Sequence, residues 1–565
     1  MLSQLSRSRA LVLLLALVLI TPIAVGLPAV TPPVAQAVAS PDEKIDPALL
    51  DRMSANPTKL LPIIVEMNDG RTSSSQMPLS SSQMAHTADS LLRSSGLSVG
   101  ALNLIGAASG FADAAGIQML CLDSRVAYID LDYTVGPGRP QSTTIPPASQ
   151  LSAPYPKVVN ADDMWQLGAT GKGIGVAVLD SGIAPDADLT QPTNRLVAAV
   201  NFADDRGSLP DPGGHGTHMA GIIAGNGTRS AGEYVGIAPD ATIIDVRVLD
   251  RNGNGRVSSV VRGIEWVLAH QAQYNIRVIN LSFGAVARNP NRLDPLAAAA
   301  QMAWQRGLVV VAAAGNRGPA EGTVESPGID PDVITVGATD DQGTIGVGDD
   351  TLAWFSAWAT PSGSISRPDL VAPGRRIVSL RVPGSYLDQL FPDRIVVAKN
   401  GATYFRLTGT STSTAIVSGI AALLLELQPD LTADQVKAAL VTTTQQFGQA
   451  SGSVLPDPAA DGAGLVDALA ASQVSLSSIE KGRRPSNAFA RAVYPALYGQ
   501  RLVWKDPHYL GIDWNSLDWE TLVWNNAAWD NVAWDAFQWS NAAWDNAAWD
   551  NAAWDTTTWS NLALD

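Results

Sequence analysis

Cysteine is almost missing from this chain: Cys121 is the single one in 565 residues. No intramolecular disulfide can form, so stability must come from core burial, hydrogen bonding or bound ions. Positive charge is scarce too. Thirty-seven Lys and Arg stand against 53 Asp and Glu, a formal net charge of −16, and such a polyanion repels phosphate, which excludes nucleic acid as an expected partner. An unbroken apolar run of the ~20 residues that a membrane span needs is also lacking, because Pro22 and Pro28 interrupt the apolar stretch Leu11 to Val30.

What surrounds that stretch has the layout of a secretory signal peptide. Arg7 and Arg9 precede an apolar run from Ala10 to Ile20, and small-residue sites follow at Ala35-Gln36-Ala37 and Ala37-Val38-Ala39. Residues 1–39 are therefore read as an export signal and the protein as secreted, with a permanent anchor as the competing reading.

The length suggests about three to four units. Residues 58–136 carry the apolar run Leu60 to Met67, a helical pattern around His86 to Arg93, and the alternating segment Val126 to Asp132, which together predict a small α+β unit. From Gly136 to Pro154 the chain is rich in Pro, Ser, Thr and Gly and reads as an exposed linker, where proteolytic cutting concentrates. Residues 155–473 alternate helical patterns with near-continuous apolar runs: Gly175 to Leu179, Thr242 to Val248, Arg277 to Leu281, Leu308 to Ala313 and Val333 to Val336. This predicts an α/β fold with a mainly parallel sheet flanked by helices. Residues 474–503 form a second linker, and 504–565 a tail.

Three segments of the α/β region carry side chains suited to nucleophilic acyl transfer, which needs a hydroxyl, an imidazole to take its proton and a carboxylate to orient that imidazole. Asp180 follows the strand Gly175 to Leu179, at the end where open parallel sheets gather ligands. His215 opens a helix rich in small residues, Gly214-His215-Gly216-Thr217-His218; His218 is its structural neighbour, with a two-histidine zinc site as the alternative. Ser411, in Gly409-Thr410-Ser411-Thr412-Ser413, stands at the head of an apolar helix, whose N–H groups favour an oxyanion.

In order and setting, these segments resemble the three signatures of the subtilase family of serine proteases, over about Trp165 to Val466. The resemblance implies a serine endopeptidase with Asp180, His215 and Ser411 as its triad. It makes Asn316, in Ala312-Ala313-Ala314-Gly315-Asn316, the oxyanion-hole donor. It makes Gly253-Asn254-Gly255 and Ser282-Phe283-Gly284 the edges between which a substrate peptide binds. It puts Arg317 at the rim of the pocket for the residue before the scissile bond, where its charge predicts a bias against Lys and Arg and tolerance of Glu and Asp.

By the same resemblance the unit 58–136 is an inhibitory propeptide, removed by a cut within roughly Gly136 to Lys157. The expected partners are protein or peptide substrates and the chain's own propeptide. No cofactor is required for catalysis. The family often binds a structural calcium through the loop after the histidine helix, but here Arg229 stands in Gly225 to Gly232 where a ligand is expected, so no metal ligands are assigned. The family's usual Met-Ala after the nucleophile, and the Pro two residues later, are replaced by Thr412, Ser413 and Ala415.

The tail repeats tryptophan every five residues from Trp514 to Trp559, with no Lys or Arg after Lys505. Neither a strand nor a straight helix puts such a repeat on one face; a solenoid would, and a tail that orders on binding is the alternative. Stacked tryptophans suit sugar rings, so a cell-surface glycan is an expected partner. An inactive scaffold serving attachment through this tail is the competing reading.

Overall fold

Buried β-branched and aliphatic runs with no polar face form strands covered on both sides, and the centre of this molecule is built from them. The computed structural model describes residues 44–68, 79–136, 153–203, 205, 210–287, 294–359, 367–448 and 458–474. The expected signal peptide, most of the first linker, nearly all of the second and the tryptophan tail lie outside these residues.

The large sheet runs in the order β13-β12-β11-β10-β6-β8-β7, with β14 also paired to β12. Its strands are β6 (Gly175–Asp180), β7 (Leu196–Asn201), β8 (Thr242–Arg247), β10 (Ile276–Leu281), β11 (Val309–Ala313), β12 (Ile334–Asp340), β13 (Thr351–Leu352) and β14 (Leu370–Pro373). All pairings are parallel except β12 with β13. Every residue of β6 is buried. The helix Thr410–Leu427 is long and apolar enough to cross a membrane, yet here it is the core helix, packed against β10, β11 and β12.

The N-terminal unit is a four-stranded antiparallel sheet, β2-β3-β1-β4, formed by β1 (Leu61–Met67), β2 (Leu97–Leu102), β3 (Ala107–Ala112) and β4 (Val126–Leu131). Helices Ser81–Ser95 and Ala114–Leu122 pack on it. It begins earlier than residue 58: helix Pro47–Ala55, capped by the Asp46 side chain, buries Leu49 and Met53, and Asp46 N–H donates to Ile129 O at 3.0 Å. Polar and charged residues between these contacts hid them from a reading based on periodicity.

This unit touches the α/β region through directed bonds. Asp132, just after β4, accepts from Ser258 N–H at 2.9 Å and from Ser258 Oγ at 2.5 Å. It thereby caps helix Val257–His270, whose own cap residue Arg256 makes no side-chain cap bond. Glu265 of that helix accepts from Leu104 N–H at 2.6 Å, and Arg262 donates to Ser109 Oγ at 2.8 Å.

Candidate active site

Asp180 ends β6 and is fully buried. His215 is the first residue of helix His215–Ala224, and its Nδ1 lies 2.8 and 2.9 Å from the two Asp180 carboxylate oxygens. The approach depends on glycine at two places. Gly214, at φ +90°, turns the chain into the helix, and a Cβ on Gly216 would lie 3.0 Å from Asp180 Cβ and run into Gly182 O. Burial pulls the imidazole pKa down, but the Asp180 carboxylate, its hydrogen bond and Asp211 outweigh that and leave His215 raised above its ordinary value. His218 is a different case: its Nε2 meets Phe405 O at 3.1 Å, and burial, with His215 beside it, pushes it down to about 3. It is a neutral core histidine.

Ser411 is the second residue of helix Thr410–Leu427. Its Oγ donates to Ser282 O at 2.8 Å, and Ser282 Oγ returns a bond to Ser411 O at 2.9 Å. Behind them Asn280 Nδ2 donates to Ser282 Oγ, and Ser418 Oγ to Asn280 Oδ1. Asn316 is oriented by Thr410, whose N–H and Oγ1 both bond to Asn316 Oδ1, at 2.8 and 2.9 Å. The other end of that amide, Nδ2, is buried with no hydrogen-bond acceptor among the described residues. Gly409 admits it: a Cβ there would stand 3.0 Å from Asn316 Nδ2. A buried donor held ready without an acceptor is what a developing negative charge requires.

The two expected substrate edges already hold a strand. The short β5 (Thr134–Val135) pairs antiparallel with β9 (Gly255–Arg256). On its other side Gly136 and Gly284 exchange both backbone bonds, at 3.2 and 3.0 Å. Gly253 O would lie 2.9 Å from a Cβ on Gly136, so the bound chain sits tightly there, with Asn254 Oδ1 3.6 Å from that same point. Phe283 lies between the two edge residues of its segment and is buried in the core. Arg317 does not present a lone charge to the cleft: its Nε is 2.8 Å from Oε1 of the buried Glu325.

The subtilase family model matches residues 171–465, more than half of the chain. The chain belongs to the subtilase family. The serine protease AprX of Bacillus subtilis is 41% identical over 308 residues, 53% of this chain and 66% of that protein. The M-protease of Shouchella clausii is 32% identical over 358 residues, 63% of this chain and 77% of its own. Subtilisin Savinase of Lederbergia lenta is 33% identical over 315 residues, 56% of this chain and 96% of its own. As a subtilase the protein is a serine-type endopeptidase.

The departures of this subtilase from the family's nucleophile segment are accommodated. Thr412 Oγ1 donates to Gly409 O at 2.7 Å, and Ser413 Oγ to Ala372 O at 3.0 Å, so the added hydroxyls leave no orphan and do not disturb the helix. The loop Gly225 to Gly232 does not fit a calcium ion. The Arg229 guanidinium pairs with Asp186, donates to Thr403 O and lies 5.1 Å over the Tyr404 ring, while Arg229 N–H donates to Asp188 Oδ1 at 2.5 Å. A cation supplied by the chain holds those acceptors.

Asp211 went unnoticed in the sequence of this subtilase. Its carboxylate accepts from Ser181 Oγ (2.8 Å), Gly214 N–H (2.7 Å), Thr217 N–H (2.9 Å) and Thr217 Oγ1 (2.7 Å). It ties the end of β6 to the start of the histidine helix. The one signal was its position four residues before His215, in Asp211-Pro212-Gly213-Gly214.

Proposed function

We propose that this subtilase is an exported precursor whose residues Asp180, His215 and Ser411 form the catalytic triad and whose N-terminal unit is an inhibitory propeptide. One observation carries this reading: the extended segment Thr134–Gly136 pairs with both Gly255 and Gly284, and Gly284 lies two residues along the chain from Ser282, whose carbonyl Ser411 contacts. A strand held by main-chain bonds on both sides, with Val135 buried beside them, is bound as an extended substrate would be.

In the reaction, Ser411 Oγ leaves Ser282 O by rotation about its Cα–Cβ bond and attacks the peptide carbonyl. His215 Nε2 takes the hydroxyl proton, and Asp180 fixes the tautomer and stabilises the imidazolium. Asn316 Nδ2 and the Ser411 N–H hold the oxyanion. The protonated His215 then gives its proton to the leaving amine, and water repeats the sequence on the acyl-enzyme. Secretion rests on residues 1–39. Attachment to a surface glycan rests on the tryptophan repeat; deletion of 504–565 should abolish binding to cell-wall polysaccharide.

The decisive experiment is intact-mass analysis of the purified precursor beside its Ser411→Ala variant at neutral to mildly alkaline pH. The wild type should lose its N-terminal part by a cut within 136–157, and the variant should not. A folded wild type that stays intact would remove the self-processing reading.

A further inference from the structure

Glu325 puts a charged side chain into a part of the cleft that is bounded by glycine on both sides, Gly284 and Gly315. The continuations of β10 and β11, Ser282 to Gly284 and Ala314 to Asn316, run side by side because their strands pair in parallel, Leu281 opposite Ala312. The first carries the bound segment through Gly284, and the second carries Asn316. Both have glycine facing the gap between them. The segment Val324 to Ser326 crosses beneath, held by Glu325 N–H to Ala314 O (2.9 Å), Ser326 N–H to Ala285 O (2.8 Å) and Ala285 N–H to Ser326 O (2.9 Å).

That crossing sends the Glu325 side chain upward into the gap. A Cβ on Gly284 would stand 2.6 Å from Glu325 Cβ and collide with its carboxylate; one on Gly315 would stand 2.8 Å from Glu325 Cγ and 3.0 Å from Oε2. The glycines are required because Glu325 already fills the space that their side chains would take. Its oxygens accept no hydrogen bond among the described residues. Its charge partner among the described residues is Arg317, at 2.8 Å, and the pair is nearly enclosed, with Glu325 2% and Arg317 13% exposed.

We infer that Glu325, braced by Arg317, is the floor of the pocket for the side chain preceding the scissile bond, and that it selects short, uncharged residues there. The inference rests on the proposed function, which sets the carbonyl of that residue against Asn316 Nδ2, next to Gly315 and the gap that Glu325 fills. It replaces the charge argument made from Arg317 alone, because the two charges cancel and what remains is a raised floor. A long side chain must displace the pair, and an acidic or basic one must break it while buried.

The test is kcat/KM of the matured enzyme on peptides that differ at this one position, Ala, Phe, Lys or Glu, for the wild type, Glu325→Gly, Glu325→Gln and Arg317→Ala. The wild type should prefer Ala over Phe by at least about tenfold. Glu325→Gly should raise the Phe-to-Ala ratio by about 10–200-fold, the range one methylene commands in an apolar pocket. Glu325→Gln, which keeps the volume, should leave Phe excluded; Arg317→Ala, which leaves the carboxylate unmatched, should raise the Lys-to-Ala ratio. A wild type that prefers Phe or Lys, or a Phe-to-Ala ratio that Glu325→Gly does not move, overturns the inference while leaving the protease reading intact. Should Glu325→Gly not fold, the other two variants decide: a Phe-to-Ala ratio that rises in Glu325→Gln, or a Lys-to-Ala ratio that Arg317→Ala does not move, overturns it. Absence of Ser411-dependent hydrolysis of every peptide overturns the protease reading and the inference with it.

Discussion

Replacing Asn316 by Asp separates the two ends of one amide. The Oδ1 end accepts from Thr410 N–H and Oγ1 and anchors the start of the serine helix, while the Nδ2 end has no acceptor among the described residues. Asp keeps an oxygen for Thr410 and exchanges the free donor for a second oxygen. The fold should therefore survive, and the loss should fall on the transition state, where the donor is used. Removal of one oxyanion-hole donor costs about 10²–10³ in kcat in subtilisin, or about 2.7–4 kcal/mol. The negative charge of Asp adds repulsion toward the oxyanion, so a loss at or above the upper end is expected, with KM little changed. Asn316→Ala should lose about the same kcat but also melt lower, because Thr410 is left with two unmet buried donors at about 1–3 kcal/mol each. The assay pairs steady-state hydrolysis of a chromogenic peptide with thermal melts in a Ser411→Ala background, which prevents self-digestion. A kcat for Asn316→Asp within fivefold of wild type would refute the reasoning.

Two further outcomes follow from the site. The general base must be neutral, and His215 holds its proton more tightly than free imidazole; kcat/KM should rise with pH through a midpoint above about 6.5, and Asp180→Asn should move that midpoint down. A wild-type midpoint clearly below 6 would contradict the Asp180 contribution. Asp211→Ala orphans donors from Ser181, Gly214 and Thr217, so a loss of about 3 kcal/mol or more is expected, with the isosteric Asp211→Asn losing less, both read from melts of the Ser411→Ala form.

The parallel sheet was legible where strands are buried on both faces, as in β6 or β11, because nothing but apolar residues fits there. Strand β7 escaped: its residues alternate between half-buried and exposed, which is the mark of an edge and not of a core strand. β14 escaped because four residues ending in Pro373 carry no period. The proposed triad came from three local segments, each a turn or helix start with its own glycine pattern, and of these the structure pairs His215 with Asp180. Glu325, Asp211 and Asp132 were not, since each acts on residues brought near by the fold; Asp132 and Ser258 lie 126 positions apart. The strand in the cleft was hidden for another reason. Thr134 to Gly136 is too short to show alternation and merges with the Pro- and Gly-rich stretch after it.

Two residues, Asp132 and Tyr133, separate β4 from β5, and this spacing sets how the cleft is contested. While the chain is continuous, β5 is presented to Gly255 and Gly284 at the local concentration of a short tether, of the order of millimolar or more. A free peptide making the same main-chain bonds must exceed that to enter. Beyond Gly136 the tether is the segment toward Tyr155; once it is severed, the same contacts count as those of a separate molecule, and dilution alone begins to open the site. On the proposed propeptide reading, the bonds themselves need not weaken for inhibition to become a matter of concentration.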